Sequence, residues 1–152
     1  MLECIYFFIK QIIWKIVIYV YSGGCRLRVI SGKIRGKKLY SLDGDNTRPT
    51  TDRVKENIFN IIQFKVQGSV CLDLFCGSGA LGLECLSRGA KEVDFIDNNK
   101  ANIFALKKLL EKLKATNYTL STSDYYDSLK QYTAEKKVFD IIFLDPPYDT
   151  NL

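Results

Sequence analysis

The sequence predicts an α/β protein built on a doubly wound, mostly parallel β-sheet. Two observations favour this fold class. After Gly68, short apolar runs alternate with longer segments whose apolar residues recur at helical spacing. In addition, a glycine-rich run follows the first apolar run directly, as it does in strand–turn–helix units of parallel sheets. Repeats of this length need crossover connections, which place helices on both faces of the sheet.

Strands and helices are predicted in strict alternation through this part of the chain. The strands are Val70–Phe75, Val93–Asp97, Tyr118–Ser121 and Phe139–Leu144. The helices are Ala80–Ser87, Lys100–Lys114 and Tyr125–Tyr132. Doubly wound sheets usually continue with further strands beyond such a set. We therefore expect the domain of residues 68–152 to be incomplete after its fourth strand, which would lie at an exposed edge.

Residues 27–67 predict a smaller unit in front of the sheet, made of a basic hairpin and one helix. Six basic residues and no acid lie between Arg26 and Lys38, with Gly32 and Gly36 at turn positions. The run T-R-P-T-T-D that starts at Thr47 then predicts a loop and a helix N-cap. The apolar face of that helix consists of Val54, Ile58, Ile61 and Ile62.

Residues 1–26 form a hydrophobic leader of doubtful nativeness. Lys10 and Lys15 interrupt its apolar stretch, which falls short of the roughly 18 uninterrupted apolar residues of a membrane-spanning helix. Apolar residues from Ile5 to Val20 recur at helical spacing, so an interfacial helix is one interpretation. We favour the alternative of a non-native extension, with translation starting near Leu27. No stable membrane association is expected.

Composition excludes several classes of site. The 152 residues suit one globular domain, and 47% hydrophobic residues is too high a share for a disordered chain. Since the sequence has no histidine, zinc sites and nucleophilic triads that need one are impossible, and no metal is expected. The five cysteines are irregularly spaced and lack a C-x-x-C pair, which indicates reduced thiols in a cytoplasmic protein.

Positive charge is concentrated near the N-terminus. Residues 25–69 hold ten Lys or Arg against four acids, whereas residues 70–152 hold ten against twelve. A basic segment attached to a mildly acidic body is typical of an arm that binds a polyanion.

The run D-L-F-C-G-S-G-A-L-G, from Asp73 to Gly82, predicts a Rossmann-like nucleoside site. It contains G-x-G-x-x-G between a strand and a helix. Asp97 ends the next strand, where a carboxylate can accept hydrogen bonds from the hydroxyls of a ribose. Asp73 would repel a pyrophosphate and suits a cationic ligand, such as S-adenosylmethionine with its amino group and sulfonium. The alternative is that Asp73 is a loop-capping residue.

The run D-P-P-Y, from Asp145 to Tyr148, lies at the carboxyl end of the fourth predicted strand, where parallel sheets bind ligands. Its two prolines remove backbone donors and leave carbonyl oxygens as acceptors. A carboxylate, free carbonyls and an aromatic ring are suited to a planar heterocycle that carries an NH2 group. A rigid strand-ending turn with a packed Tyr148 is the alternative.

Together these motifs resemble class I S-adenosylmethionine-dependent methyltransferases that methylate amines. R-V-I-S-G-K-I-R-G-K-K-L (Arg28 to Leu39) and T-R-P-T-T-D-R-V-K-E (Thr47 to Glu56) resemble more narrowly the bacterial RsmD family. That family methylates the exocyclic N2 amine of a guanine in 16S ribosomal RNA. The resemblance extends from about Arg28 to Tyr148, but the leader and the absence of strands after D-P-P-Y depart from the family, and the second departure puts activity of this chain in doubt.

The resemblance implies two groups of site residues and a partner, 16S rRNA or the assembling small ribosomal subunit. The residues implied to bind S-adenosylmethionine are Asp73, Phe75, Gly77, Ser78, Gly79, Asp97 and Asp124. Those implied to hold the guanine and act in catalysis are Asp145, Pro146 and Tyr148. The concentration of positive charge predicts contacts with RNA phosphates for Arg28, Lys33, Arg35, Lys37 and Lys38; a solvated basic hairpin is the alternative.

Other functions fit parts of the pattern. A nicotinamide oxidoreductase would explain the glycines and Asp97, but it leaves D-P-P-Y and the basic segment without a role. An inactive nucleotide- or RNA-binding fragment is a second alternative. D-P-P-Y itself also fits methyltransferases that act on DNA adenine or on protein glutamine.

Overall fold

The computed structural model describes Phe7 and residues 16–19, 29–36 and 50–146. Its centre is a five-stranded sheet in which every neighbouring pair is parallel, as the fold class predicts. The strands in chain order are β1 (Ile16–Tyr19), β2 (Val70–Asp73), β3 (Glu92–Asp97), β4 (Tyr118–Thr122) and β5 (Ile141–Leu144). Their order across the sheet is β1-β5-β2-β3-β4.

The described helices are α1 (Thr50–Ile61), α2 (Gln63–Val66), α3 (Ala80–Ser87), α4 (Lys100–Lys112) and α5 (Tyr125–Ala134). The predicted bounds of α3 are confirmed, and the other predicted strands and helices after residue 68 are confirmed to within two residues at most ends. The first predicted strand ends at Phe75, whereas β2 ends at Asp73. The fourth predicted strand begins at Phe139, whereas β5 begins at Ile141. Within the described ranges, no helix has the length and apolar character that a membrane crossing requires.

The helices cover the two faces of the sheet unequally. One core contains Phe59 of α1, Leu83 of α3 and Leu106 of α4, packed on strand residues such as Phe95. The opposite core contains Leu129 of α5 and further strand residues. The chain thus runs from β2 to β4 with its helices on one face, and then returns to β5 through a helix on the other face, which is a doubly wound arrangement.

The structure corrects the interpretation of the leader. Residues 16–19 form a strand rather than part of an interfacial helix, and Ile16 pairs with Ile141 in parallel register. The expectation that β5 lies at an exposed edge is also wrong, because β1 and β2 flank it. The physical reason is that Ile-Val-Ile-Tyr has high β-propensity and that β5 offers unpaired backbone groups on its outer side. A translation start near Leu27 stays a prediction.

The predicted hairpin is wrong for residues 29–36, which form bends and turns without a strand. Gly36 N–H donates to Val29 O at 2.8 Å and closes the segment into a loop, and Val29 is buried in the core. Gly32 and Gly36 lie at turn positions, as predicted, with φ of +83° and +80°. We call residues 29–36 the basic turn.

Candidate active site at the switch point of the sheet

The tips of β2 and β5 lie side by side at the point where the strand order reverses. Asp73 is opposite Phe143 in parallel register, and Leu74 N–H donates to Phe143 O at 3.3 Å. Ligands of doubly wound proteins bind at the carboxyl ends of the strands, at such a switch point. The two sequence motifs, which begin at Asp73 and Asp145, therefore meet at one edge of the sheet, and we use the word cleft for the space next to these two strand tips.

The glycine loop between β2 and α3 is held by backbone hydrogen bonds. Cys76 N–H donates to Ile96 O of β3 at 2.9 Å, and Gly79 N–H donates to Cys76 O at 2.6 Å. Gly79 is the N-cap of α3 with φ of +77°, a left-handed conformation that a residue with a Cβ adopts only at a cost. The loop thus has a fixed shape before any ligand arrives.

Asp97 connects this loop to the end of β3. Its Oδ2 accepts a hydrogen bond of 2.7 Å from Gly77 N–H, and its Oδ1 accepts one of 2.8 Å from Asn99 N–H. The side-chain amide of Asn102 lies 3.5 Å from the same Oδ1. A carboxylate offers about four acceptor positions, so further acceptance from ribose hydroxyls is chemically open to Asp97.

Asp73 is buried beneath the loop, and its Oδ2 accepts a hydrogen bond of 3.0 Å from Gly82 N–H in the first turn of α3. Asp73 therefore has the capping contact that was the alternative to a cofactor role. Burial raises the pKa of this carboxyl from 3.8 to about 7, with further increases from Asp145 and Asp97 and an opposing effect of the Gly82 N–H. Three carboxylates thus act on one another within the cleft.

Asp145 and Pro146 follow the tip of β5. Asp145 is half-buried and Pro146 is buried. Tyr148, the third residue of the predicted guanine site, lies outside the described residues.

The other predicted cofactor residues line the same edge. Ser78 and Phe75 are half-buried in the glycine loop, and the Phe75 ring lies 5.5 Å from the Tyr125 ring of α5. Asp124 is the N-cap of α5, with Oδ1 accepting a bond of 2.8 Å from Tyr126 N–H. The residue before it, Ser123, donates its N–H to Asp97 O at 3.2 Å.

Sequence reasoning missed Tyr125 as part of this edge. The residue follows Asp124 directly and begins α5, so its place after a strand end was the available signal. Its ring joins the β4–α5 connection to the glycine loop through Phe75.

The predicted RNA-contacting residues are not in the cleft. Lys33 and Arg35 are exposed on the basic turn, which lies beside Ser87 at the far end of α3 from the glycine loop. Arg28, Lys37 and Lys38 lie outside the described residues. Any ligand that contacts both the cleft and the basic turn must therefore be extended, as a nucleic acid is.

A parallel doubly wound sheet with a glycine loop and an acidic residue at each of the β2 and β3 tips defines a methyltransferase-like α/β fold. The family described as "Conserved hypothetical protein 95" matches residues 27–152. The chain belongs to this family, which contains the RsmD proteins that the motifs resemble.

Curated relatives and solved structures agree with this assignment. The chain is 44% identical over 128 residues to ribosomal RNA small subunit methyltransferase D of Haemophilus influenzae, covering 83% of this chain and 66% of the relative. For the Escherichia coli protein of the same name the identity is 41% over 132 residues, covering 87% and 65%. The chain thus spans slightly less than two thirds of these relatives. The solved structure of Escherichia coli yhhF has a TM-score of 0.71 at 40% identity, covering 83% of this chain and 68% of that one.

Proposed function

We propose that this chain uses S-adenosylmethionine to methylate the exocyclic N2 amine of a guanine in 16S ribosomal RNA, either as free RNA or within the assembling small subunit. The observation that carries the proposal is the meeting of the glycine loop with Asp145 and Pro146 at one switch point. Relatives at 41% to 44% identity are named as small-subunit rRNA methyltransferases, which supports the substrate class. An RNA substrate also suits the cytoplasmic location expected from unpaired cysteines such as Cys71.

The residues present fit S-adenosylmethionine by the chemistry of the donor set. The pKa of Asp73 is raised by burial and by two neighbouring carboxylates, a cost that a nearby cation would relieve. Asp73 and the Gly77–Gly79 loop would hold the cationic methionine part, Asp97 the ribose and Asp124 the adenine amine. When bound, S-adenosylmethionine would supply an electrophilic methyl group, with the S–CH3 bond breaking and S-adenosylhomocysteine as the leaving group.

Asp145 and Pro146 would position the target base. An aromatic amine is a weak nucleophile because its lone pair is delocalised into the ring. The Asp145 carboxylate and the backbone carbonyls of Asp145 and Pro146 would accept the amine hydrogens and turn the lone pair toward the methyl group, while Tyr148 would stack on the base. Orientation of this kind can lower the activation barrier of methyl transfer by roughly 7 kcal/mol. A strong base is therefore not required. The nitrogen becomes acidic as it is methylated, and Asp145 or water takes its proton.

The direct test is methyl transfer to small ribosomal subunits that lack the modification, followed by nucleoside analysis for N2-methylguanine. We expect incorporation by the wild-type chain and its loss in Asp145→Ala, with binding of S-adenosylhomocysteine largely kept. Modification of adenine instead of guanine would contradict the proposed substrate. Unchanged turnover in Asp145→Ala would remove Asp145 from catalysis.

Cofactor titration separates this function from the oxidoreductase alternative. We expect S-adenosylhomocysteine to bind the chain and NAD not to bind. A chain that binds S-adenosylhomocysteine and RNA but transfers no methyl group would be the inactive fragment, and the proposed activity would then be wrong for this length of chain.

A further inference from the structure

The basic turn is attached to α3 by a buried carboxylate. Glu84 lies in the middle of α3 with no exposed surface. Its Oε2 accepts a hydrogen bond of 2.7 Å from Ile30 N–H, and its Oε1 accepts one of 2.9 Å from Ser31 N–H. Arg88 Nε donates to Oε1 at 2.8 Å, so three donors satisfy the carboxylate.

Ser87, one helical turn further, makes a second set of contacts with the same segment. Its backbone oxygen accepts from Lys33 N–H at 2.9 Å, and its hydroxyl accepts from Ile34 N–H at 3.0 Å and donates to Ser31 O. The approach is close: a Cβ on Gly32 would lie 2.1 Å from Ser87 O. Two neighbouring polar residues of α3 therefore fix the backbone of the basic turn.

The attachment extends to α1. The guanidinium of Arg88, which pairs with Glu84, lies 4.8 Å from the centre of the Phe59 ring. Phe59 is buried and packs against Phe143 of β5 with ring centres 5.8 Å apart. The basic turn is thus connected through Arg88 and Phe59 to β5, the strand that directly precedes Asp145.

The length of α3 sets the distance between the basic turn and the cleft, which determines the size of ligand that can contact both. Ser87 follows Gly79 by eight residues, which at the helical rise is about 12 Å from the cleft. Lys33 and Arg35 are exposed on the attached turn. A short ligand in the cleft does not reach them, whereas the phosphates of an RNA that extends away from the target base do.

We propose that the basic turn is a second RNA contact, held at a fixed distance from the cleft by Glu84 and Ser87, with Glu84 as a positioning residue. This rests on the proposed function for its RNA substrate. Lys33 and Arg35 contact phosphates there and provide affinity and register, while the cleft selects the base.

A pair of glycine variants tests the attachment. Gly32→Ala and Gly36→Ala both place a Cβ on a backbone with φ near +80°, so they share the conformational cost. Only Gly32→Ala brings the Cβ against Ser87, because at Gly36 nothing lies within 4 Å. Gly36→Ala is therefore the matched control for displacement of the turn.

Binding is measured on unmodified 16S rRNA transcript over a range of salt concentrations. We expect Gly32→Ala to weaken RNA affinity about tenfold and to lower the salt slope by 1 to 2, roughly one per lost phosphate contact. Gly36→Ala keeps wild-type affinity and slope. Identical RNA binding by the two variants would overturn the proposal.

Glu84→Gln tests the positioning residue itself, because an amide accepts only one of the two backbone N–H groups. We expect a higher KM for RNA with kcat at saturating RNA and S-adenosylhomocysteine affinity unchanged. A fall in kcat and in S-adenosylhomocysteine affinity with an unchanged KM would show that Glu84 only supports α3, and would overturn its role. If the wild-type chain transfers no methyl group, the proposed function fails, while the RNA-binding comparison of the glycine variants still decides whether the turn binds RNA.

Discussion

Gly77 N–H donates a 2.7 Å hydrogen bond to the carboxylate of Asp97, which joins the glycine loop after β2 to the end of β3. The residues are 20 positions apart in the chain, yet one hydrogen bond joins them, and its acceptor is the carboxylate that we propose for the ribose. Charged acceptors form stronger hydrogen bonds than neutral ones, so a carboxylate at this position holds the loop more firmly than a neutral amide would.

Asp97→Asn therefore tests the loop and the ribose contact together. The amide offers one oxygen to Gly77 and Asn99 N–H groups that each need an acceptor. We expect the free energy of unfolding to fall by about 1 kcal/mol. The affinity for S-adenosylhomocysteine falls about tenfold or more through the lost charge-assisted bonds. Urea unfolding and titration calorimetry measure the two effects.

Asp127→Asn is the matched control, because it makes the same chemical change, from carboxylate to amide, at an exposed position on α5. Its stability and its affinity should equal those of the wild type. Equal affinities in Asp97→Asn and Asp127→Asn would show that Asp97 does not contact the cofactor.

The raised pKa of Asp73 predicts a pH-dependent affinity for S-adenosylmethionine. With a pKa of about 7, the Asp73 carboxyl is protonated in the free chain at pH 6, whereas a cation beside it favours the ionised form. Binding below pH 7 must then release a proton. We expect the affinity to rise by up to about tenfold per pH unit below 7 and to level off above it, measured by calorimetry.

Asp73→Asn is the control for this profile, since it cannot titrate. This variant should bind S-adenosylmethionine more weakly and with little dependence on pH. Its free energy of unfolding should also lose the pH dependence that Asp73 causes in the wild type. In the wild type the folded chain holds a proton that the unfolded chain has released between pH 4 and 7, so the free energy of unfolding falls as pH rises through that window. If the affinity of the wild type for S-adenosylmethionine does not change between pH 5.5 and 8, Asp73 does not interact with the cationic part of the ligand.

Much of the sheet and cleft was predictable because the signals are local. The bounds of α3 follow from the glycine run before it and Arg88-Gly89 after it, and the tips of β2 and β5 lie within two residues of the predicted strand ends, Phe75 and Leu144. Parallel strands place such tips at one edge whatever the loops between them do. The position of the candidate site is therefore a consequence of pattern and topology.

The attachment of the basic turn was not predictable in the same way. Glu84 and Ile30 are 54 residues apart, and a Glu in a helix usually faces solvent. The pairing of β1 with β5 joins Ile16 to Ile141 across most of the chain. Apolar residues such as Ile16 and Val17 fit a helical spacing as well as a strand, so the sequence pattern alone does not choose between them.

Lys137→Met should destabilise the sheet on the face covered by α5. Lys137 Nζ lies 2.7 Å from Asp94 Oδ2 and 2.9 Å from Glu92 Oε1, and the Asp94 side chain has no exposed surface. Removing the cation leaves a buried carboxylate whose pKa burial already raises. The expected loss in free energy of unfolding is about 3 kcal/mol at neutral pH, measured by urea unfolding.

Two further variants identify the cause of that loss. Lys130→Met removes an exposed lysine of α5 and should change stability little. In the double variant Lys137→Met with Asp94→Asn, the buried charge is absent, so part of the loss should be recovered. A double variant no more stable than Lys137→Met would attribute the effect to packing of the lysine stem instead.

Removal of residues 1–26 should make the chain associate and lose stability. Those residues include β1, which pairs along the whole of β5, and Ile16 N–H donates to Asp140 O at 3.1 Å. Without β1, the Ile-Ile-Phe-Leu strand β5 presents its backbone groups at an open edge, which favours pairing between copies. We expect concentration-dependent oligomers by light scattering and a lower midpoint of urea unfolding.

Removal of residues 1–12 is the matched control, because it shortens the leader and keeps Ile16–Tyr19. That chain should keep the association state of the full chain and nearly its stability. If β1 contributes to the native sheet, only the longer deletion uncovers β5, and the two chains differ in both measurements. The prediction is wrong if the chain that starts at Leu27 has the same association state and stability as the control. In that case β5 needs no partner on its outer side, and the pairing of Ile18 with Phe143 contributes nothing to the stability of the fold.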